Sequence, residues 1–207
     1  GATTRDDGQP GPLDRCLARA PRVKGVKHNV YTPPRGDLSL RREIARRALR
    51  IGHSLSPEEV LVTCGCTEAL SLALRTVARH GDTVAIESPT YFGLLQVLQS
   101  LGLKALELPT DSRTGVDVEA LRAACKAHRL AACVLSSSFN NPLGCTLAEE
   151  RKLEVLALLA KARVPLIEDD IYGDIGFSGV RPRPFIALDE HRNTIYCSSL
   201  SKTPAPA

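Results

Sequence analysis

From residue 37 onward, the pattern of apolar and polar residues divides the chain into short strand-like segments that alternate with longer helix-like segments. Short, continuous apolar runs are typical of strands whose two faces are both covered by helices. The predicted strands are Val60–Thr63, Thr83–Glu87, Ala105–Leu108, Ala131–Ser136, Pro165–Glu168 and Thr194–Ser198. Apolar residues at three- and four-residue spacing indicate amphipathic helices. The predicted helices are Asp37–Arg50, Thr67–Arg79, Tyr91–Leu101, Asp117–His128 and Ala148–Ala162.

The alternation of strands and helices predicts a mainly parallel sheet, because a helix that joins two parallel strands packs on a face of the sheet. The sequence therefore predicts an α/β fold of three layers. Ser56 with Glu59, and Thr146 with Glu149, have the spacing of a capping box, which predicts that a helical turn starts at each place. In such sheets ligands bind beyond the carboxyl ends of the strands, so the residues after each strand are the candidates for a site.

The N-terminal residues lack this pattern and are rich in Gly, Pro, Arg and Ala. Only Leu13–Ala20 has helical character. We expect a loosely held N-terminal arm over residues 1–30 and one domain over residues 31–207. A disordered leader fits the same composition.

Composition narrows the classes of partner. A net charge of +4 over 207 residues gives no strong case for nucleic acid or an anionic membrane. No apolar run approaches the roughly 20 residues that cross a bilayer, so we expect no membrane partner. The seven cysteines include no CxxC pair, and the five histidines are scattered. We therefore expect free thiols, a cytoplasmic location and no metal site.

Gly65-Cys66-Thr67 follows the first predicted strand and opens a helix. A glycine turn leaves the free N–H groups of the helix start and the Thr67 hydroxyl facing outward, which suits a phosphate. Taken alone, such a segment is more often only a turn. Tyr91 follows the second strand and can stack on a flat ring, although a tyrosine there also fits a core or surface position.

Asn141 lies in a segment, Asn140 to Gly144, that either forms a simple turn or holds an amide rigidly toward a ligand. Three carboxylates, Glu168 to Asp170, end the fifth strand. Since they would repel one another in one buried site, we expect at least one to meet a positive partner. Lys202 follows the last strand, where burial would favour the neutral amine that attacks an aldehyde. A surface charge is the ordinary alternative for a lysine.

Each signal is modest, but their order along the chain is specific. The ordered set is Gly65-Cys66-Thr67, Tyr91, Asn141-Pro142-Leu143-Gly144, Asp169-x-x-Tyr172 and Ser199-x-x-Lys202. Over about residues 31–206 it resembles the fold-type I pyridoxal-phosphate (PLP) enzymes, the class I/II aminotransferases. The amino-acid sequence of residues 81–87, 89–93 and 169–174 more closely resembles that of the MocR-type proteins. In these proteins an aminotransferase-like domain follows a GntR-type winged helix-turn-helix.

The resemblance implies a fold-type I large domain with PLP as its cofactor, and it implies roles for the matching residues. Lys202 would bond PLP and then act as general base and acid. Asp169 would pair with the pyridine nitrogen. Tyr172 and Asn141 would donate to the ring 3′-oxygen, and Tyr91 would stack on the ring.

The phosphate would be held by the turn at Gly65 and by its neighbours. Backbone groups of Cys66 and Thr67 would contribute, with the hydroxyls of Thr67 and Ser199, and Ser201 is a further candidate. Tyr31 matches a tyrosine that reaches the phosphate of a neighbouring subunit. That match implies a homodimer with shared sites.

The resemblance leaves three functions open. The first is amino-group transfer between an amino acid and a 2-oxo acid. The second is a PLP-sensing effector domain of a MocR/GntR-type transcription regulator, in which DNA would be bound only through an absent N-terminal module. The third is a truncated, non-functional fragment, because the chain ends five residues after Lys202 and lacks the small domain that grips the substrate carboxylate in the family. We expect the large domain to be incomplete, and the sequence does not select an amino acid.

Overall fold

A six-stranded sheet forms the centre of the computed structural model, which describes residues 11–24, 31–177 and 179–202. The strands are β1 (Thr83–Ser88), β2 (Lys104–Asp111), β3 (Gly115–Val116), β4 (Leu130–Leu135), β5 (Leu166–Asp169) and β6 (Thr194–Cys197). The helices are α1 (Pro12–Lys24), α2 (Leu38–Ala48), α3 (Cys66–Val77), α4 (Phe92–Ser100), α5 (Val118–Ala127) and α6 (Glu149–Ala162). Short 3-10 turns cover Leu49–Ile51, Pro57–Glu59 and Phe185–Ala187.

The strand order in the sheet is β3-β2-β1-β4-β5-β6. Every neighbouring pair is parallel except β2 with β3, which is antiparallel. The chain leaves β1 toward one edge of the sheet and later returns to β4 before it continues toward the other edge. A crevice forms where the direction of winding reverses, at the carboxyl ends of β1 and β4. The predicted mainly parallel sheet is confirmed.

Helices cover both faces of the sheet, and each face has its own apolar core. Successive strand residues point to opposite faces. Val84 and Ile86 of β1 therefore pack in the core that includes residues of α3 and α4. Ala85, between them, packs in the core that includes residues of α5 and α6. The predicted three layers are confirmed.

Local side chains set the start of several helices. The Asp37 carboxylate accepts from the Leu40 N–H at 3.0 Å and begins α2. Asp117 accepts from the N–H groups of Glu119 and Ala120 at the start of α5. These contacts satisfy N–H donors that a helix start leaves free. Because the capping residue lies next to the helix that it starts, both helix starts were predicted within one residue.

Only one of the two predicted capping boxes forms. Ser56 and Glu59 make both reciprocal bonds around the 3-10 turn that starts at Pro57. The prediction at Thr146 is wrong, because α6 begins after Ala148 without a side-chain cap. The Thr146 hydroxyl instead accepts from the Phe139 N–H at 3.3 Å. This bond closes the loop that precedes α6, so the Thr146 oxygen is not available to cap the helix.

The predicted strand at Val60–Thr63 is also wrong. The structure has no strand there within the described residues, although the Val62 N–H donates to the Arg35 carbonyl at 3.0 Å. This segment lies beside the short residue 33–36 turn and not beside a strand, so no ladder forms. The two-residue strand β3 was missed because so short a segment carries no readable periodicity.

The helical character expected of Leu13–Ala20 corresponds to α1. Residues 1–10 and 25–30 of the expected N-terminal arm lie outside the described residues, so the arm and its boundary stay predictions. No helix in the described part of the chain is long and apolar enough to cross a membrane.

Candidate functional site

A cavity of about 310 Å³ opens at the carboxyl ends of the parallel strands β1, β4, β5 and β6. Ten of the eleven residues predicted for the site line it. They are Gly65, Cys66, Thr67, Tyr91, Asn141, Asp169, Tyr172, Ser199, Ser201 and Lys202. These residues are far apart in the chain and meet because parallel strands end at the same edge of the sheet.

Two of the predicted residues lie differently from the rest. Tyr31 lies outside the cavity, and its side chain is fully exposed. Lys202 lines the cavity but is exposed at its rim. The expected burial of Lys202 is wrong, because β6 ends at Cys197 and the lysine lies in a surface turn beyond it.

Asp169 ends β5 and directs its carboxylate toward the cavity and the start of α3. Its Oδ1 accepts from the Cys66 thiol, with 3.7 Å between sulfur and oxygen. Burial raises the pKa of Asp169 to about 6, so this carboxyl is mostly ionised at neutral pH. In residues 11–24, 31–177 and 179–202, no Lys, Arg or His forms an ion pair with it. An anionic group thus faces the cavity without a cationic partner.

The neighbouring carboxylates point to the other face of the sheet, as strand alternation requires. Glu168 is fully buried and accepts from the N–H groups of Phe185 and Ile186 at 2.8 and 2.9 Å. Asp170 forms an ion pair with Arg181, with 2.5 Å between Oδ2 and Nη2. The expectation that one of the three carboxylates meets a positive partner is confirmed at Asp170.

Glu87, at the end of β1, is a cavity residue that the sequence analysis missed. It is only 3% exposed, and its Oε2 accepts from the Ser136 N–H at 2.8 Å. Burial raises the pKa of Glu87 to about 7. The available signal was a carboxylate that directly follows a wholly apolar run, which is the same pattern that drew attention to Glu168.

The start of α3 supplies the anion-binding part of the cavity. Gly65 has φ of 92°, a left-handed conformation that favours glycine, and it provides no side-chain cap for the helix. The positive end of the helix dipole and the first N–H groups therefore face the cavity at Cys66 and Thr67. This arrangement suits a phosphate. The hydroxyls of Ser199 and Ser201, which also line the cavity, lie 2.6 Å apart.

Tyr91 lies on the side of the cavity formed by the start of α4. A Cβ atom at Gly93 would lie 2.3 Å from Cε1 of the Tyr91 ring, so glycine is what lets the ring lie against the helix. The Tyr91 ring also contacts Phe92, with 4.9 Å between the ring centroids. The site therefore has an aromatic wall as well as polar groups.

Asn141 and Tyr172 belong to two loops that close the cavity. The loop after β4 is tightened by hydrogen bonds from the Gly144 N–H to the Asn140 carbonyl at 2.5 Å and from the Leu143 N–H to Asn140 Oδ1 at 3.2 Å. The Tyr172 carbonyl accepts from the Ile175 N–H at 3.0 Å. Hydrogen bonds within each loop thus shape the segments that bring Asn141 and Tyr172 to the cavity.

These features fit a flat ring that carries a protonated nitrogen and an anionic phosphate. A carboxylate without a cationic partner among the described residues lies beside the start of a helix that has no side-chain cap, and an amine lies at the rim. The cavity is at the lower end of the size range of small-molecule sites, roughly 300–1,000 Å³. Glycine at position 65 leaves nothing within 4 Å of where a Cβ would stand, so the turn has room for a ligand group.

Solved structures of known enzymes share this architecture. The chain matches kynurenine aminotransferase of Pyrococcus horikoshii, solved with PMP, with a TM-score of 0.87 and 27% identity, over 100% of this chain and 52% of that one. It matches an archaeal alanine:glyoxylate aminotransferase with a TM-score of 0.84 and 30% identity, over 90% of this chain and 47% of that one. The fold is that of the large domain of fold-type I PLP-dependent transferases, present in part.

The chain belongs to the family of class I and II aminotransferases, whose family model matches residues 1–205. It is 40% identical over 194 residues to YdcR, an HTH-type transcriptional regulator of Escherichia coli (strain K12), covering 94% of this chain and 42% of YdcR. It is 28% identical over 178 residues to human tyrosine aminotransferase, covering 85% of this chain and 39% of that enzyme. The chain thus spans less than half the length of these relatives.

Proposed function

We propose that the chain binds PLP in this cavity and serves amino-group transfer between an amino acid and a 2-oxo acid. The observation that carries the proposal is the position of Asp169. Its half-buried carboxylate faces the cavity beside the start of α3 and forms no ion pair with a cation among the described residues. Bound PLP supplies an aldehyde that bonds amines and a ring that accepts electrons from the bonded amino acid.

Asp169 is proposed to hold a proton on the ring nitrogen. Above a pH of about 6 its carboxylate is mostly ionised, which stabilises a positive nitrogen beside it. The Cys66 thiol, 3.7 Å from Oδ1, helps to keep Asp169 ionised by donating to it. A neutral residue at position 169 would remove this support and leave the nitrogen unprotonated.

The phosphate is proposed to lie at the start of α3. Free N–H groups of Cys66 and Thr67 can donate to it, and the helix dipole attracts its negative charge. The Thr67 hydroxyl and those of Ser199 and Ser201 line the same cavity and can add donors. Tyr91 would be the aromatic residue available to stack on the bound ring, and Lys202 at the rim would be the amine available to the aldehyde.

Lys202 is proposed to bond the aldehyde and afterwards to move a proton at the substrate carbon as general base and acid. Its place at the exposed rim gives an incoming amino acid access to the same position. Tyr172 and Asn141, which also line the cavity, would donate hydrogen bonds to the ring oxygen. Tyr31 is proposed to act on a second copy of the chain in a homodimer, and we retain a cytoplasmic location as a prediction.

A second candidate function is PLP sensing in a transcription regulator. Two HTH-type regulators of Escherichia coli (strain K12), YdcR and YjiR, are 40% and 38% identical to the chain, whereas human tyrosine aminotransferase is 28% identical. In this case the same residues would bind PLP as a signal without turnover. DNA would be contacted by a separate N-terminal module and not by the residues described above.

Absorbance titration with PLP, followed by borohydride reduction, tests the proposal. The native chain should acquire a visible band that borohydride converts into a covalent adduct at Lys202. Lys202→Ala should acquire no adduct, whereas Lys161→Ala, which changes an exposed lysine at the end of α6, should behave like the native chain. Absence of an adduct in the native chain would refute PLP bonding.

A second assay separates the two functions. Amino acids are added to the PLP-loaded native chain and the 2-oxo acid product is measured. Product that depends on Lys202 supports the transferase, whereas bound PLP without product supports the sensing role.

A further inference from the structure

Arg181 joins two carboxylates that lie on either side of Tyr172 in the chain. Its Nη2 donates to Asp170 Oδ2 at 2.5 Å, and its Nε donates to Asp174 Oδ1 at 2.6 Å. The Arg181 side chain is 19% exposed and the Asp170 side chain is fully buried. One planar guanidinium therefore spans the bend that carries Tyr172, with a different nitrogen donating to each carboxylate.

Both ends of this bend are tied to other parts of the fold. Asp170 Oδ2 also accepts from the Tyr196 hydroxyl at 2.7 Å, which connects it to β6. Asp174 Oδ2 also accepts from Arg47, which connects it to α2. Arg181 lies between these two attachments, so its two bonds complete a continuous path from the sheet to α2 across the bend.

The backbone at Gly173 is matched to this arrangement. A Cβ atom there would lie 2.3 Å from Asp170 Oδ1 and 2.8 Å from Arg181 Nη2. A side chain at this position would have to displace one of the two partners, so glycine lets both of them lie close to the backbone of the bend.

We propose that Arg181 is a positioning residue for the cofactor site: it holds residues 169–174 in the conformation that presents Asp169 and Tyr172 to the cavity. The proposal rests on the proposed PLP binding. Asp169 directly precedes the buried partner of Arg181, and Tyr172 lies between its two partners. Arg181 itself does not line the cavity, so it acts only through the residues that it holds.

The charge arrangement explains why a lysine could not replace it. Asp170 is buried, and an unpaired buried carboxylate is strongly destabilising. An ammonium group could neutralise Asp170, but it is a single point charge and lacks the rigid fork that reaches both carboxylates at once. Arg181→Lys should therefore keep the fold while releasing the Asp174 side of the bend.

The test compares Arg181→Lys and Asp174→Asn with the control Arg183→Lys. Arg183 lies two residues away, is 49% exposed, and pairs with Glu149 at 3.0 Å without contacting the bend. Asp174→Asn leaves the Arg181–Asp170 pair in place, so it serves if Arg181→Lys folds poorly. Thermal midpoints of all variants are measured first.

Hydrogen exchange of residues 170–177 is measured without PLP. Arg181→Lys and Asp174→Asn should exchange faster there than the native chain, with β1 and β4 unchanged and Arg183→Lys like the native chain. Unchanged exchange in both test variants would overturn the proposal. The exchange experiment contains no PLP, so it tests the role of Arg181 even if the native chain fails to bind PLP. A failure of the proposed PLP binding is detected in the absorbance titration instead.

PLP binding is then measured by absorbance. Arg181→Lys should raise the Kd for PLP about 10- to 100-fold, the range seen when residues that orient metal ligands are changed. The pH midpoint of the bound-PLP spectrum should also be displaced, because Asp169 and Tyr172 set the protonation of the ring. The proposal would be refuted if Arg181→Lys had a lower thermal midpoint but the same Kd for PLP and the same pH midpoint as Arg183→Lys. That result would show that Arg181 has a purely structural role.

Discussion

The Cys66 thiol donates to the Asp169 carboxylate, with 3.7 Å between Sγ and Oδ1. Cys66 is the first residue of α3 and Asp169 the last of β5, so a helix start and a strand end meet at this bond. Burial strongly raises the pKa of the Cys66 thiol, and the neighbouring Asp169 carboxylate raises it further, which keeps the thiol protonated as a donor. The cavity thus contains a neutral thiol beside an ionised carboxylate.

Cys66→Ala should raise the pKa of Asp169 above its native value of about 6. The thiol hydrogen bond lowers that pKa against the effect of burial, and alanine removes the donor. Cys66→Ser should give a smaller increase because a hydroxyl can still donate. Carbon-13 NMR of the Asp169 carboxyl over pH measures the change. Cys64→Ala, at an exposed cysteine, is the control, and an unchanged pKa in Cys66→Ala would contradict the prediction.

Glu87 should make the protein less stable as the pH rises. Its pKa is about 7 in the folded chain and about 4.3 in an unfolded one. The folded state therefore holds the proton more tightly, and stability falls between these two pH values by an amount on the order of 4 kcal/mol.

Glu87→Gln should flatten that part of the pH profile, because its amide oxygen can still accept from the Ser136 N–H and never ionises. Urea unfolding of the native chain and of Glu87→Gln at pH values from 4 to 8 measures the difference. The two proteins should converge at acidic pH, and Glu87→Gln should be the more stable at pH 8. Parallel profiles would show that Glu87 does not titrate in this range.

Glu168→Gln should destabilise the protein, in contrast to Glu87→Gln. Both oxygens of the buried Glu168 carboxylate accept from backbone N–H groups, those of Phe185 and Ile186. Glutamine has one acceptor oxygen, so one buried N–H would face an NH₂ group, at a cost of about 1–3 kcal/mol. Urea unfolding at pH 7 provides the comparison, and a variant as stable as the native chain would contradict this account.

Gly93→Ala should weaken PLP binding although alanine is the better helix former by up to about 1 kcal/mol. The new methyl group would meet the Tyr91 ring, 2.3 Å from Cε1, and displace it. In a Tyr91→Ala background the same change should be neutral or stabilising, because the obstacle is gone. A double-mutant cycle on thermal stability and PLP affinity measures the coupling. Additive effects would show that the ring and the glycine are independent.

The residues at the strand ends were largely predictable because their chemistry is local. Asp169 and Tyr172 lie just after one predicted strand and Lys202 lies just after another, and parallel strands bring such positions to one edge of the sheet. The sequence did not indicate that Lys202 would be exposed, because the length of β6 depends on its pairing with β5. Nor did it reveal the roles of Glu87 and Arg181, since their partners Ser136 and Asp170 are 49 and 11 residues distant.

By itself the sequence determined the α/β class, the start of most helices and the residues that gather around the cavity, because periodicity, capping and turn chemistry act between near neighbours. Only the tertiary structure decided which carboxylate of Glu168, Asp169 and Asp170 faces the cavity. Strand alternation places Asp169 on one face of the sheet and its two neighbours on the other. Which face borders the cavity depends on the segments that pack there. The start of α3 with Cys66 packs on the Asp169 side, and Arg181 and the turn at Phe185 pack on the other side. Those contacts join distant segments and form only when the layers assemble.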